Sequence, residues 1–345
     1  MMELPSFKKV ILLIVIAISF YILYCLIQRR QELMNMDDTP DVVEEGFAEN
    51  MATIMPMEKM DAPLKEYLVF ASWNSCATSD HNVSLDQLEK VAKNGCRFLD
   101  FEVYNIDGKP EVGFSTSGFV ATDHVQELDS DTLDFLDVCN KLAMLKAPNN
   151  ADPLFLHFRL KSRNPNMLEH MANAFVSSGL SNRLYDGEVT KNTKLGDLKN
   201  KVVIMVDKTY VPDIKKNACG ASCQNDLRKM INMYSNTSDM PSMKVEYQLQ
   251  QQQATPLTKG DDDLSTNVKK WKMVTHDFGS QYEDKNQNEL RTLVTQYSVQ
   301  VVPYKFYYND RALGQYKNFF SDNGKRAFMR MSVAMDALIH ATEED

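Results

Sequence analysis

From residue 63 onward, short apolar runs alternate with segments whose apolar residues recur every three to four positions. The runs at 67–72, 97–103, 111–114, 154–160, 202–206, 272–276 and 299–307 read as strands. The segments 84–94, 131–146, 166–178, 223–234, 286–296 and 323–340 carry helical spacing. Strands interleaved with helices predict βα units around a parallel sheet. Seven or eight such units in fewer than 300 residues fit an α/β fold of the (β/α)8 TIM-barrel type, with room for irregularity or distortion. A doubly wound open sheet is the alternative on pattern alone. No glycine-rich phosphate loop follows the first strand, which argues against a nucleotide site.

Ahead of this alternation the pattern changes. Residues 10–28 read VILLIVIAISFYILYCLIQ, without a charge. Roughly 20 apolar residues at 1.5 Å rise suffice to cross a bilayer core. Lys8 and Lys9 precede the run, and Arg29 and Arg30 follow it. A cleaved leader has a shorter apolar stretch followed by small residues, so this run reads as a retained transmembrane helix. The basic residues tie across it and leave the orientation open. Four regions follow: a short tail (1–9), the transmembrane helix (10–28), an acidic flexible linker (29–62) and the barrel domain (63–345). The linker holds Asp37, Asp38, Asp41, Glu44, Glu45 and Glu49 without a sustained period. Within the barrel domain, residues 240–267 carry a glutamine run and Asp261–Asp263, and read as a polar low-complexity loop.

Composition narrows the classes. A hydrophobic share of 43% supports a substantial core, and the net charge of −9 argues against a nucleic-acid partner. The six cysteines do not form a dense framework. Cys219 and Cys223 have no second pair to complete a zinc site, so two ordinary thiols is the plainer reading. Asn82-Val83-Ser84 and Asn236-Thr237-Ser238 match the N-glycosylation acceptor, a tripeptide common by chance.

One block carries more. Ala71-Ser72-Trp73-Asn74-Ser75-Cys76 precedes the helical segment from Ser84. Then come Gly95-Cys96-Arg97-Phe98-Leu99-Asp100-Phe101-Glu102 and, after a turn, Glu111-Val112-Gly113-Phe114. This order resembles the X region of phosphatidylinositol-specific phospholipases C. That family shows a strand ending in Ser-His-Asn, a helix, Gly-Cys-Arg, a strand with two acidic residues, and a short strand ending in a second histidine. Residues 194–208 resemble the family segment leading into its strand of substrate-binding lysines. Residues 240–267 fall where many phospholipases C carry a linker between half-barrels. The resemblance implies phosphodiester cleavage by two histidines, with calcium or an arginine stabilising phosphoryl charge.

Transferred residue by residue, the resemblance predicts a degenerate site. Trp73 stands at the first histidine position and Phe114 at or beside the second. Indole only donates, and phenyl neither gives nor takes a proton. General acid–base catalysis contributes about 10²–10⁴-fold, so most activity should be lost. Asn74, Asp100 and Glu102 fall on the family's metal-binding positions and would be the ligands of any calcium. Arg159 falls where animal-type enzymes place a further calcium-binding glutamate. A guanidinium there is expected to pair with Asp100 or Glu102, so no cofactor is expected. Asn74, Asp100, Glu102 and Arg159 are also the candidate ligand-binding set. His157 and His276 are the alternative acid or base candidates, with Arg159 beside them. His81, although followed by Asn82, lies too close to Gly95 and reads as a loop residue.

Three functions follow. The leading one is a membrane-anchored, catalytically inactive barrel that binds a protein partner or a phospholipid head group. The second is an active phosphoric diester hydrolase with a rebuilt site. The third is a structural membrane or envelope protein with a filled pocket. Localisation is expected at a membrane, single-pass.

Overall fold

The computed structural model describes residues 21, 60–114, 131–145, 152–162, 164–209, 211–214, 225–238, 240, 242–244, 270–276, 285–286 and 290–340. The chain divides into two compact units, residues 1–49 and 50–345. Tyr21, helical and exposed, is the one described residue of the first unit. The apolar run 10–28 otherwise lies outside the described residues. Among these, no helix is long and apolar enough to cross a membrane.

The second unit is a mixed α/β fold. It opens with β1 (Tyr67–Val69) and β2 (Ala71–Ser72), followed by α1 (Leu85–Lys93), whose first turn is capped when Ser84 accepts from the Asp86 N–H. Strand β3 (Phe98–Ile106) turns at Asp107 and Gly108, both at positive φ, into the antiparallel β4 (Lys109–Gly113). That Asp-Gly pair is the chemistry a tight hairpin requires. After β5 (Leu133–Asp134), Asp134 caps α2 (Phe135–Met144). Strand β6 (Leu154–Leu160) is buried along its whole length, and Asn164 caps α3 (Pro165–Ser177). Next come β7 (Val202–Asp207), α4 (Leu227–Met230), β8 (Met233–Ser235), β9 (Ser242–Lys244) and β10 (Met273–Thr275). The chain ends with α5 (Leu290–Tyr297), α6 (Arg311–Asp322), β11 (Phe328–Arg330) and α7 (Met331–His340).

Parallel pairing runs β8-β7-β6-β3-β2. Bridges from Ser72 to Tyr304 and from Val301 to Met273 carry the order on to β10 and β9. Among the described residues no ladder joins β8 to β9, and no closed ring is seen. Strand parity sorts the side chains. Phe101 and Phe158 stack on one face and meet Phe135 and Phe175 of the helical layer. On the opposite face of β6, Phe155 meets Phe98, Trp271 and Phe328. His157 and Arg159 follow Phe155 at alternate positions, and so face the same side.

The structure corrects several elements. Residues 299–307 make only isolated bridges, because Pro303 has no N–H to donate to a ladder. Residues 223–234 are not one helix: α4 has four residues and β8 begins at Met233. The helix expected over 323–340 starts at Met331. Gly324 and Lys325, both at positive φ, end the preceding helix, and β11 pairs antiparallel with β1. Helix α6 was not foreseen, although Asp310 caps it by accepting from the Leu313 N–H at 2.8 Å. Part of the expected loop 240–267 is ordered: β9 pairs with β10, and Met240 is buried. Residues 245–267 lie outside the described residues.

Candidate functional site

The site is assembled from β3, β6, β8 and the turn after β2. Asn74 sits at φ 43°, a left-handed conformation that asparagine tolerates better than most residues. This turns its N–H onto Asp100 Oδ2 at 3.1 Å. Ser75 binds the same strand twice: its N–H donates to the Asp100 carbonyl at 2.8 Å, and its Oγ accepts from the Asp100 N–H at 3.0 Å.

On β3, Asp100 and Glu102 point to one face, opposite His157 and Arg159 in register. Arg159 Nε donates to Asp100 Oδ1 at 3.1 Å, and Nη2 donates to Oδ2 at 2.7 Å. Nη1 donates to Glu102, and Nη2 also to the Asn74 side-chain oxygen. Lys161 Nζ lies 3.5 Å from Glu102 Oε1, whose other oxygen accepts from the Tyr104 hydroxyl at 2.6 Å. His157 Nδ1 is 2.7 Å from Asp100 Oδ1, and its Nε2 is 2.8 Å from Ser235 Oγ. An ionised carboxylate only accepts, so His157 Nδ1 donates to Asp100, while the Ser235 hydroxyl can either donate to or accept from Nε2. Asp100, Glu102, His157, Arg159, Lys161 and Ser235 are each at most 2% exposed.

Two carboxylates thus face two cations, Arg159 and Lys161. Burial works to raise the Asp100 carboxyl, but the charge of Arg159 and the His157 hydrogen bond outweigh it and hold it at about 2. Glu102 follows the same logic: burial opposes, Lys161 and Arg159 prevail, and the carboxyl is lowered. Burial brings the Lys161 ammonium down to about 8, against the pull of Glu102.

Both histidine-position residues are buried, at separate places. The Arg159 guanidinium lies 3.8 Å from the Trp73 ring centroid. The indole also meets His276 edge-on at 5.3 Å, and His276 Nε2 is 3.0 Å from the Pro303 carbonyl. Phe114 packs with Ala77, Tyr307 and Tyr308. His81, a loop residue as expected, stacks on Phe114 at 5.6 Å and holds the Tyr308 hydroxyl at 2.8 Å. Beside Asp100 and Glu102 lies a partly open cleft of about 160 Å³, adjoining solvent included, lined by Asn74, Cys76, Val83 and Val112 among others; among the described residues it is too narrow to admit a water molecule.

Calcium does not fit this arrangement. It takes six to eight oxygens at 2.3–2.6 Å. Here the oxygens of Asn74, Asp100 and Glu102 converge on a guanidinium. Among the described residues no three His, Cys, Asp or Glu side chains are placed to hold a metal. The structure brings Trp73, Asn74, Asp100, Glu102, His157 and Arg159 together, and sets His276 behind the indole. Ser235, Lys161 and Tyr104 belong to the network but were missed. Lys161 was readable, two positions beyond Arg159 on an alternating strand. Ser235 is not readable, because the sequence leading into β8 carries helical spacing. The lysine strand of the resemblance is absent from β7; Lys208, just beyond it, lies over the Tyr234 ring at 4.8 Å. Cys76, Cys96 and Cys139 are free and buried, while Cys219 and Cys223 lie outside the described residues.

The fold is similar to part of two solved phospholipase C structures. PLC21 of L. pealei superposes with a TM-score of 0.59 at 17% identity, over 80% of this chain and 39% of that one. PLC21 of S. officinalis gives 0.57 at 18%, over 81% and 39%. The chain therefore corresponds to well under half of either structure. It matches none of the curated proteins in sequence. Residues 60–208 match the family model of the phosphatidylinositol-specific phospholipase C X domain.

Proposed function

We propose that this protein is a catalytically inactive, membrane-anchored member of the phospholipase C-like superfamily, acting as a structural barrel rather than as a lipase. The single supporting observation is the filled cage: Arg159 occupies the carboxylates of Asp100 and Glu102, the Trp73 ring lies against its guanidinium, and the space lined by Asn74, Asp100 and Glu102 has no room for a water molecule among the described residues. A substrate phosphate would have to displace a guanidinium held by five hydrogen bonds to three side chains. His157 offers no free nitrogen, since Asp100 and Ser235 engage both. In this reading the incomplete ring is a distorted (β/α)8 barrel, and residues 10–28 tether it to a bilayer.

The filled cage favours a structural role over head-group binding, because β7 supplies no lysine and the network is already charge-balanced. The test is turnover by the purified full chain in mixed micelles of phosphatidylinositol or its phosphorylated forms, with and without calcium. No product above the protein-free blank is expected. Turnover that disappears in His157→Ala or His276→Ala would instead establish a rebuilt phosphodiesterase site.

A further inference from the structure

The two N-glycosylation tripeptides are placed very differently. In Asn82-Val83-Ser84 every residue is committed to the fold. The Asn82 Oδ1 accepts from the Asp131 N–H at 2.9 Å, and its carbonyl accepts from the Thr78 N–H at 2.9 Å. Val83 packs against the cluster of Ala77, Phe114, Tyr307 and Tyr308. The Ser84 N–H donates to the Cys76 carbonyl at 2.8 Å, and its hydroxyl, which a glycosyl acceptor must present, caps α1. All three residues are half-buried.

Asn236-Thr237-Ser238 follows β8 as a surface turn. Asn236 sits at φ 55°, and both Asn236 and Ser238 are exposed. The Asn236 amide makes one exposed hydrogen bond, donated to Thr209 Oγ1 at 3.0 Å, which water can replace without loss. The turn is held by its middle residue: Thr237 Oγ1 donates to the Tyr234 carbonyl at 3.2 Å and accepts from the Met240 N–H at 3.2 Å. A substituent on Asn236 therefore meets solvent and displaces at most that one exposed hydrogen bond.

We infer that Asn236 is an N-linked glycan acceptor and that Asn82 is not. The donor is a lipid-pyrophosphate-linked oligosaccharide. Asn236 Nδ2 bonds to the anomeric carbon as the bond from that carbon to the pyrophosphate oxygen breaks. The lipid pyrophosphate leaves with the electron pair, and the amide gives up one proton to the transferase. The assignment places the barrel domain on the non-cytosolic side of its membrane, the orientation that the flanking charges leave open. It also puts a bulky, hydrated group one residue from Ser235, at the strand end nearest the ion network. The inference is independent of the catalytic reading above, since an active enzyme could carry the same glycan.

The experiment is expression of the full chain in mammalian cells, digestion of the membrane fraction with peptide-N-glycosidase F, and electrophoresis. One glycan's mobility shift is expected. It should be lost completely in Asn236→Gln and in Ser238→Ala, which spares the asparagine, and kept in full in Asn82→Gln. An unshifted wild-type band, or a shift surviving both Asn236→Gln and Ser238→Ala, would overturn the assignment.

Discussion

Arg159 is the residue on which the interior depends. Its guanidinium neutralises Asp100 and Glu102 where neither can reach water. Removing one partner of a buried ion pair costs about 3–5 kcal/mol, because the remaining charge stays unsolvated. Arg159→Met should therefore lower unfolding stability by that amount in denaturant titrations. Neutralising the carboxylates as well, in Arg159→Met/Asp100→Asn/Glu102→Gln, should recover most of the loss, since the cost comes from unpaired charge and not from shape. If the triple variant is no more stable than the single one, the network contributes through packing instead. At this scale the sequence was informative where strand alternation applies. Asp100 with Glu102, and His157 with Arg159, are i and i+2 pairs whose common face follows from the pleat. Contacts between distant segments were hidden: nothing near Ser235 or Tyr307 announces a hydrogen bond to His157 or Asn74.

Elements were legible where local chemistry and tertiary packing agree. The apolar run of β6 and the capped helices α1, α2 and α3 fall within a few residues of expectation, with Leu154–Leu160 matching at both ends. Sequence reasoning failed toward the C-terminus, where short strands depend on distant partners. β11 exists because Phe328–Arg330 pairs with β1 from the start of the domain, and Arg330 there meets Glu66 at 2.8 Å and lies 5.0 Å from the Tyr67 ring. Helix α6 is different, since its start signal was present in Asp310 and went unused. Asp310 also accepts from the Asn286 N–H. Asn286 in turn accepts from the Lys305 N–H at 2.7 Å and donates to its carbonyl at 3.0 Å. The cap therefore anchors two segments as well as one helix. Asp310→Ala should cost about 1–2 kcal/mol, the upper part of the range for a lost cap. Asp310→Asn, which keeps the capping oxygen, should cost less. Equal losses in the two variants would show that charge, and not the cap, matters here.

For the whole molecule, the network joins β3, β6, β8 and the turn after β2, so its titration should appear as a change in global stability. Asp100 is held at about 2, below the ordinary aspartate value of 3.8. Its folded-state pKa is depressed, so its stabilising contribution is complete above the unfolded value and disappears as pH falls toward 2. Glu102 is shifted in the same direction and adds to the effect. At 1.36 kcal/mol per pKa unit, Asp100 alone accounts for about 2 kcal/mol between pH 4 and pH 2. Urea midpoints should therefore fall steeply across that window. Lys161 has the same sign, in an alkaline window. With a folded-state pKa of about 8 against 10.5, the folded chain releases its proton first, so its contribution to stability rises as pH passes 8. The buried thiols Cys76, Cys96 and Cys139 oppose this rise: burial raises their pKa, so the unfolded chain ionises before the folded one above about pH 9. Asp100→Asn should flatten the acid limb relative to the parent while leaving the alkaline limb in place. An acid limb unchanged in Asp100→Asn would mean that this carboxyl is not held ionised by Arg159, and the filled cage would lose its electrostatic basis.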